Sequence, residues 1–406
     1  MYIPLTKIYY SNPNDYEKIY SNKFNSESSE HLKFSNCDSE LFFLYTKNIT
    51  NLLHDIQKHN GDVIKLCEKL PVVALTSFGR KCLIDEILQT NEIEGVHSTR
   101  KEISSIIENP SSQKRFHGIV NKYLKLSEET EIEKAEDVRK IYDELVYGEI
   151  KSDDENSILD GVIFRKDTVG VFTATGKKIH TGLYPETKII EAMTEAITIL
   201  HSKEINSLIA ISIFHYLFGY IHPFYDGNGR TSRFISSYYF AKELNPLIGY
   251  RLSYTIKENI KAYYESFEVT NNKLNRGDLT YFIEMFLDVL NKSMTNLIAA
   301  LRGRLEKLNF YKEILVSEIG KRFGGNNKLI DDELNLMYVL TQATLFSEDG
   351  ITLNKLTEVM EKSTGKIRQL ITNEKIKDLI IVNTQKRKHC YSANCNKLDE
   401  INLNKN

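Results

Sequence analysis

The segment from Ile205 to Tyr220 constrains the fold more than any other part of the sequence. Its apolar residues cover nearly the whole circumference of a helix, and the most apolar stretch, Leu208–Ile221, is broken only by Ser212, His215 and Gly219. A surface helix has one apolar face, whereas a helix that is apolar all round must be covered by neighbours on every side. The sequence therefore predicts a mainly α-helical bundle with this helix at its centre.

The segment His222–Arg233, which follows this helix, suits a polyphosphate. Gly227 and Gly229 can take positive φ and turn successive backbone N–H groups inward as an anion nest, and a helix that begins here adds its positive N-terminal end. Arg230 and Arg233 are three residues apart, so they share one face of that helix and can both reach phosphate oxygens. These residues alone predict a phosphate-binding loop.

Two other side chains of the loop can supply chemistry. Asp226 offers the hard oxygen ligands that suit Mg²⁺, which would bridge phosphates. His222 can remove a proton from an attacking hydroxyl near neutral pH. Pro223 and Phe224 are apolar and are expected to anchor the loop. A single histidine or a Gly-Asn-Gly turn is usually structural, but their combination after a buried helix favours a phosphate site with a base.

The nine residues HPFYDGNGR match the Fic family signature, H-x-F-x-[D/E]-G-N-G-[R/K], at every fixed position. The resemblance to the Fic (Fido) domain family covers about 137–286 and includes an upstream hairpin and a downstream YYESF…NRGD. It implies a Fic-type helical bundle with a β-hairpin flap. It also implies a protein adenylyltransferase, which moves AMP from Mg-ATP onto a Ser, Thr or Tyr hydroxyl of a protein.

The resemblance implies a role for each residue of the loop. The histidine at the position of His222 deprotonates the target hydroxyl, which attacks the α-phosphate of ATP and expels pyrophosphate. The acid that corresponds to Asp226 holds Mg²⁺, and Asn228 contacts the α-phosphate. The remaining residues bind phosphate as well: the anion hole is lined by the amides of Gly227 and Gly229, the β and γ end is held by Arg230, and a second arginine of many members corresponds to Arg233.

A β-hairpin is predicted between Gly161 and Pro185, where two extended runs flank a Gly-Lys turn. The part near Val169–Leu183 resembles the flap with which Fic enzymes hold a segment of the target protein through main-chain pairing. The sequence alone does not distinguish such a flap from an ordinary surface hairpin.

Three residues, Tyr263, Tyr264 and Asn275, fall where the family places its contacts to adenine. The spacing from YY to NRGD is a few residues longer here than in the family pattern, and a pair of tyrosines on a helix usually belongs to the core. The adenine contacts are therefore implied by the resemblance alone.

The helix that precedes the catalytic region ends in Thr90–Gly95, TNEIEG, which fits the family's inhibitory pattern [S/T]-x-x-x-E-[G/N]. Gly95 suits the left-handed turn after a helix, so the segment by itself indicates only a capped helix end. With the resemblance, it implies that Glu94 restrains the enzyme. A carboxylate at a helix C-terminus needs a compensating cation, and Arg233 would supply it. This ion pair would occupy the arginine that the γ-phosphate needs.

After Gly324–Asn327, the order helix, helix, helix, strand, basic turn, strand predicts a winged helix-turn-helix-like module. Its paired helices are Thr352–Met360 and Thr364–Asn373. The basic residues around the second helix and in the turn are Lys362, Lys366, Arg368, Lys375, Lys377, Lys386, Arg387 and Lys388. They can neutralise nucleic-acid phosphates, but winged modules also bind proteins, and the sequence leaves both partners open.

These segments predict four regions. Residues 1–110 form an N-terminal helical region with the inhibitory helix, 111–290 the catalytic domain, 291–328 a connecting helix and linker, and 329–406 the winged-helix-like module. The sequence decides neither the target protein nor whether the chain forms a homodimer.

Composition excludes several other classes of protein. The chain has 53 basic and 55 acidic residues, a net charge of -2, so no global field draws it to nucleic acid or to an anionic membrane. The five cysteines are scattered and lack the paired spacing of a zinc site. Without a signal-like start or 18 consecutive apolar residues, the protein is expected to be cytoplasmic.

Three functions remain in competition. The first is an adenylyltransferase restrained by Glu94, which also modifies itself when released. The second is a DNA-binding regulator with an incidental Fic-like domain, and the third is a Fic enzyme that removes AMP or transfers another phosphate-containing group. The intact loop favours an enzyme, and its GNGR ending fits the use of ATP.

Overall fold

The computed structural model describes residues 2–111, 114–128, 131–153, 158–172, 178–324, 327–385 and 388–403. The chain divides into two compact units. The first consists of Met1–Gly61 and Leu83–Thr295, and the second of Asp62–Cys82 and Asn296–Asn406. The predicted mainly α-helical fold is confirmed.

The α-helices are α1 (Leu5–Ser11), α2 (Tyr16–Phe24), α3 (Lys47–Glu68), α4 (Val72–Ile93), α5 (Arg100–Glu108), α6 (His117–Leu124), α7 (Ala135–Tyr142), α8 (Gly148–Asp153), α9 (Glu186–Leu200), α10 (Ser207–Ile221), α11 (Asn228–Glu243), α12 (Leu252–Glu258), α13 (Ile260–Asn271), α14 (Thr280–Arg322), α15 (Asn327–Phe346), α16 (Leu353–Met360), α17 (Thr364–Ile371) and α18 (Cys395–Leu403). A π-helical turn, Asp143–Tyr147, joins α7 to α8. The predicted helix over Ala135–Glu149 is therefore interrupted by one wide turn.

The strands form small antiparallel sheets. The first unit holds two pairs, β1 (Ser29–Leu32) with β2 (Leu41–Leu44) and β3 (Gly170–Phe172) with β4 (Lys178–Thr181). The second unit holds a three-stranded sheet in the order β5-β7-β6, formed by β5 (Ile351–Thr352), β6 (Ile380–Gln385) and β7 (Lys388–Ala393).

The apolar helix predicted at the centre of the bundle is α10, and it is buried on all sides between neighbours that include α9 and α11. It starts where the side chain of Asn206 accepts a hydrogen bond from the Leu208 N–H, 3.0 Å away. It ends at His222, which adopts the left-handed conformation with φ 51° and ψ 64°. The buried helix therefore delivers the loop that follows it from a fixed point in the core.

Helix α4 ends as the sequence predicts. Its last helical residue is Ile93, Gly95 has φ 74°, and the Val96 N–H donates to the Asn91 carbonyl at 2.9 Å. Further back, the buried carboxylate of Glu86 accepts two hydrogen bonds, 2.8 and 2.9 Å, from the Ser253 N–H at the start of α12. Burial raises the pKa of Glu86. This contact fixes the last turns of α4 to the start of α12.

Within the N-terminal region, predicted to be helical, the range Glu40–His59 does not form a single helix. Strand β2 lies at the start of that range, and helix α3 begins only at Lys47. Phe42 pairs with the main chain at Gly277 and Leu279, through bonds of 3.1 and 2.8 Å. This strand therefore depends on a pairing partner more than two hundred residues away. Local periodicity in the sequence contains no signal for such a partner.

The second unit follows the predicted order of helices and strands after Gly324, with two additions, β5 and the final helix α18. Its assignment as a winged-helix module stays a prediction, and Lys386 and Arg387 of the predicted turn lie outside the described residues. The core of this unit includes Leu315 and Ile319 of α14. The boundary of the compact unit therefore differs from the predicted linker.

The segment Thr280–Arg322 is one continuous helix, α14. No described helix is both long enough and apolar enough to cross a membrane.

Candidate functional site

The loop after α10 is closed by its own residues. The Phe224 ring is fully buried and stacks on Tyr142, with ring centroids 3.7 Å apart and planes 13° apart. The Asn228 side chain accepts from the Phe224 N–H at 2.9 Å and donates to the Phe224 carbonyl at 2.8 Å. Phe224 anchors the loop as expected, while Asn228, predicted at the α-phosphate, has both ends of its amide engaged in closing the loop.

His222 lies at the mouth of this loop, partly exposed. Burial and the neighbouring Arg165 guanidinium lower its pKa to about 4, while the Glu94 carboxylate acts in the opposite direction. Its backbone is held at both ends, because its N–H donates to Phe218 and its carbonyl accepts from Arg165 Nε, each at 2.9 Å. At neutral pH the imidazole is therefore uncharged and able to accept a proton.

Gly227 forms the turn into α11, with φ 79°. A Cβ there would lie 2.9 Å from both Ile150 Cδ1 and Val146 Cγ2, so packing and backbone conformation both require glycine. The Gly227 N–H donates to Asp226 Oδ1 at 2.5 Å, and the Asp226 side chain is exposed beside the start of α11. The loop thus combines a helix N-terminus with an accessible carboxylate.

The Glu94 carboxylate contacts the first turn of α11. A Cβ on Gly229 would collide with Glu94 Oε1 and lie 2.9 Å from Arg233 Nη1. Glu94 Oε1 and Arg233 Nη2 form an ion pair at 2.8 Å, in which the Glu94 side chain is 28% exposed and the Arg233 side chain 1%. A protein carboxylate therefore lies beside Gly229, one of the two glycines predicted to line the anion hole.

Arg233 has a second partner that the sequence did not indicate. Its Nε donates to Thr90 Oγ1 at 2.9 Å and its Nη2 to the Thr90 carbonyl at 3.0 Å. Burial works against the charge of Arg233, but Glu94 outweighs it and raises the arginine pKa. Thr90 is the first residue of TNEIEG, so both ends of this segment hold the same guanidinium.

Arg230, predicted to hold the β and γ phosphates, also forms an ion pair. Its Nη1 lies 3.0 Å from Glu149 Oε1, and the side chains of Arg230 and Glu149 are 1% and 4% exposed. Burial raises the pKa of Glu149, although Arg230 opposes the shift. Among the described residues, neither Arg230 Nε nor Glu149 Oε2 has a hydrogen-bond partner. Glu149 was not predicted, since it ends an ordinary helical pattern.

The predicted hairpin is present as β3 and β4, with Gly170 opposite Thr181 and Val171 opposite His180. The Gly-Lys turn of the predicted flap lies outside the described residues. The base of the hairpin is fixed to the end of α10. The Leu183 N–H donates to the Ile221 carbonyl at 3.1 Å, and His180 Nε2 donates to the Tyr220 carbonyl at 2.7 Å.

The three residues predicted at adenine have different surroundings. Tyr263 is buried, and its hydroxyl hydrogen-bonds His215 Nε2 at 2.8 Å. Burial lowers the pKa of His215 to about 3, so this histidine is a neutral core residue. Asn275 is fully buried, and its side chain donates to the Asp278 carbonyl at 2.6 Å. Tyr264 alone of the three presents an exposed ring, at 40%.

The residues at the loop fit the predicted Mg²⁺. The described residues contain no cluster of three or more His, Cys, Asp or Glu side chains that would form a complete cage. Mg²⁺ is commonly bound through one or two carboxylates together with substrate phosphates and water, so a single carboxylate such as Asp226 beside an anion site is the arrangement expected for it.

A family model described as the Fic/DOC family matches residues 130–240. Among solved structures, a Fic family protein from Desulfovibrio desulfuricans G20 is similar, with 20% identity, 86% of this chain and 96% of that chain covered, and a TM-score of 0.52. A fragment of Fic-1 from C. elegans carrying one substitution is 18% identical over 74% of this chain and 81% of that chain, with a TM-score of 0.44. A Fic domain containing signaling protein from Bacteroides thetaiotaomicron VPI-5482 is 17% identical over 63% and 97%, with a TM-score of 0.44.

Proposed function

Because the chain is a Fic domain protein, we propose that it is a protein adenylyltransferase restrained by its own Glu94. Fic domain proteins transfer nucleotide-derived groups onto proteins. In this chain the group would be AMP, the donor Mg·ATP, and the acceptor a serine, threonine or tyrosine hydroxyl. The observation that carries the proposal is the Glu94 carboxylate at the first turn of α11, paired with Arg233 at 2.8 Å.

His222 is the proposed general base. Its neutral imidazole would take the proton of the target hydroxyl, whose oxygen then bonds to the α-phosphorus as the bond to the β-phosphate oxygen breaks and pyrophosphate leaves. The pKa of about 4 keeps the base ready at neutral pH. The Arg165 bond to its carbonyl and the left-handed backbone hold the ring at the loop mouth.

The start of α11 is the proposed phosphate site. Backbone N–H groups after Gly227 and the positive end of the helix attract anions, and one carboxylate, that of Glu94, already lies beside Gly229. Asp226 would hold Mg²⁺, which would neutralise part of the phosphate charge. Arg233 would contact the γ-phosphate once Glu94 has left it. Arg230 reaches the β and γ end only if its ion pair with Glu149 opens or is shared with phosphate.

Restraint follows from competition for one guanidinium. While Glu94 is paired with Arg233, the γ-phosphate lacks its ligand and the carboxylate fills the space beside Gly229. ATP then binds, if at all, with its α-phosphate displaced from the line of attack of the hydroxyl. A displaced α-phosphorus slows the reaction steeply, because in-line geometry supplies a large part of the rate.

A target segment is proposed to pair along the β3–β4 hairpin near Val169–Leu183. Such strand addition uses main-chain bonds for affinity and leaves side chains to choose the target. The Leu183 N–H, at the end of this hairpin, donates to the carbonyl of Ile221, the residue that precedes the proposed general base His222. A segment paired here is therefore held next to the residue that accepts its proton.

For the second unit we propose a protein partner rather than nucleic acid. Lys362 and Lys366 both pair with Asp332, each at 3.1 Å, and Lys377 pairs with Glu374. These pairs reduce the positive charge that the basic residues around α17 offer to phosphates. Salt-dependent binding of the protein to duplex DNA would contradict the proposal of a protein partner.

The enzyme is tested by incubating the protein with Mg·ATP labelled at the α-phosphate. Transfer predicts label on the protein and an intact mass increased by one AMP unit, weak in the wild type and stronger in Glu94→Gly. If AMP is instead lost from an already modified protein, removal of AMP is the dominant activity. If neither addition nor loss occurs with any nucleoside triphosphate, the proposal is wrong.

A further inference from the structure

Arg165 is a fully buried arginine whose guanidinium is bound by main-chain carbonyls. Its Nε donates to His222 O at 2.9 Å, and its Nη2 donates to Leu183 O at 2.9 Å and to Ile221 O at 3.4 Å. Its Nη1 donates to Asp167 O. Among the described residues no carboxylate forms an ion pair with it. A buried charge held in this way depends on the orientation of each carbonyl.

The four carbonyls come from the two ends of the hairpin and from the end of α10. Asp167 precedes β3, Leu183 follows β4, and Ile221 and His222 close α10. The Arg165 N–H adds a bond of 3.3 Å to the Pro223 carbonyl. The Arg165 side chain therefore ties both ends of the hairpin to His222, the proposed general base, and the Arg165 backbone adds a bond to Pro223.

Gly182 shows that this arrangement depends on close packing. A Cβ at Gly182 would collide with Arg165 Nη2 and lie 3.0 Å from His222 Cβ. Its backbone φ is not in the left-handed region, so the need for glycine is one of space. The guanidinium lies in the gap that this glycine leaves between the hairpin and His222.

We propose that Arg165 is a positioning residue that holds the His222 ring and the base of the target-binding hairpin in one fixed arrangement. This inference rests on the proposed function, in which His222 is the general base and the hairpin binds the target segment. Binding of a target segment and alignment of the base are then coupled through one guanidinium. A lysine cannot replace it, because an ammonium lacks the planar set of donors that reaches carbonyls in several directions.

The charged and titratable groups that face His222 are Arg165, Glu94 and His180. Arg165 and His180 favour the neutral imidazole and Glu94 the protonated one. Loss of Arg165 therefore raises the pKa of His222, and the base becomes protonated at a higher pH than in the parent. Burial lowers the same pKa, so the titration reports on Arg165 in variants that keep the parent's fold.

The kinetic test uses Arg165→Met, Arg165→Lys and Gly182→Ala in the Glu94→Gly background. Misplacing a base by about 1 Å costs on the order of a hundredfold in rate, so kcat should fall by about that factor in Arg165→Met while ATP affinity stays near the parent's. Arg165→Lys should recover only part of kcat. The controls are Lys166→Met, which removes the neighbouring exposed cation, and Gly61→Ala, where a Cβ meets no atom within 4 Å; both should match the parent.

A second readout does not need activity. NMR titration of the His222 ring should show a higher pKa in Arg165→Met, and hydrogen exchange should be faster at the Leu183 amide in Arg165→Met and Gly182→Ala. If the parent transfers no AMP, the proposed function fails while these measurements still test the positioning role. If Arg165→Met does not fold, the same measurements on Arg165→Lys and Gly182→Ala test the positioning role of Arg165. Folded variants with the parent's ring titration and exchange, or a change in ATP affinity instead of kcat, would overturn the inference.

Discussion

The two arginines of the loop are each paired with a glutamate from outside it, but the two pairs are built differently. Glu149 lies on α8, its side chain is 4% exposed, and it meets Arg230 inside the core. Glu94 follows the last residue of α4, its side chain is 28% exposed, and it meets Arg233 at the surface of the same loop. The guanidinium is buried in both pairs, so the difference lies in the carboxylate.

This difference separates a structural pair from one that can open. To leave Arg230, Glu149 must either carry its charge through the core or move α8. To leave Arg233, Glu94 has only to turn into solvent, and Thr90 still supplies two acceptors to the guanidinium. The proposed inhibitory carboxylate, Glu94, thus differs from Glu149 in its access to water.

His222→Ala should have the largest effect on chemistry, because neither arginine accepts a proton. Transfer in the Glu94→Gly background should fall by about 10² to 10⁴, the usual contribution of a general base, while ATP binding persists. Label transfer measures the reaction, and calorimetric titration with Mg·ATP measures ATP binding. Unchanged transfer would remove His222 from the mechanism, and lost ATP binding would make it a phosphate ligand.

The two ion pairs should differ most clearly in how much they contribute to the stability of the folded protein. Removing one partner of a buried pair costs about 3–5 kcal/mol, and Glu149→Ala should approach this because Arg230 is left uncompensated. Glu94→Gly should cost less, a few kcal/mol at most, because Thr90 still accepts two hydrogen bonds from the buried Arg233. Scanning calorimetry gives both shifts in melting temperature.

Mg·ATP supplies the control for this experiment. Ligand that binds only the folded state stabilises it by about 2.7 kcal/mol at a hundred times Kd, and the γ-phosphate replaces Glu94 as the partner of Arg233. ATP should therefore stabilise Glu94→Gly more than Glu149→Ala, in which Glu94 still occupies Arg233. Equal destabilisation of the two variants, or equal rescue by ATP, would show that the pairs are equivalent.

The contiguous part of the site could be predicted from the sequence. His222, Asp226, Gly227 and the two loop arginines occur within one short signature, and a glutamate before a helix-ending glycine is a local pattern as well. The buried central helix followed from its composition. These features are encoded within a few turns of chain, where periodicity and spacing are informative.

Partners distant in sequence could not be predicted. Glu149 meets an arginine 81 positions away, Arg165 meets His222 over 57 positions, and Thr90 meets Arg233 over 143. Each lies in an ordinary helical or extended pattern, and only the fold brings it to the loop. The burial of Asn275 has the same origin, since its turn is covered by the pairing of Phe42 with Gly277 and Leu279.

The pH dependence distinguishes the base from an ordinary histidine. Because its pKa in the folded protein is about 4, His222 should stay neutral from pH 8 to about pH 5 and become protonated only below that. The sign follows from burial and Arg165, which both disfavour the imidazolium. NMR titration of the ring should give a midpoint near 4, and a midpoint near the ordinary histidine value of about 6.5 would contradict the described environment.

The smallest effect is expected in the second unit. Since Lys362 and Lys366 are neutralised by Asp332, Asp332→Asn should increase any weak attraction of the protein to duplex DNA, and Arg368→Ala should decrease it slightly. AMP transfer should be the same in both variants. Tight binding of the wild type to DNA, falling steeply with salt, would show that the ion pairs do not govern this surface.

The central claim is that Glu94 restrains AMP transfer by occupying Arg233. Its most direct test measures AMP incorporation, by intact mass and by label from the α-phosphate, in wild type, Glu94→Gly and Glu94→Gly with Arg233→Ala at equal protein concentration. We predict that Glu94→Gly incorporates more AMP than wild type, and that the added Arg233→Ala abolishes the gain because the γ-phosphate loses its ligand. A folded Glu94→Gly protein that incorporates the same amount of AMP as wild type, or less, would contradict the claim and reduce TNEIEG to an ordinary capped helix end.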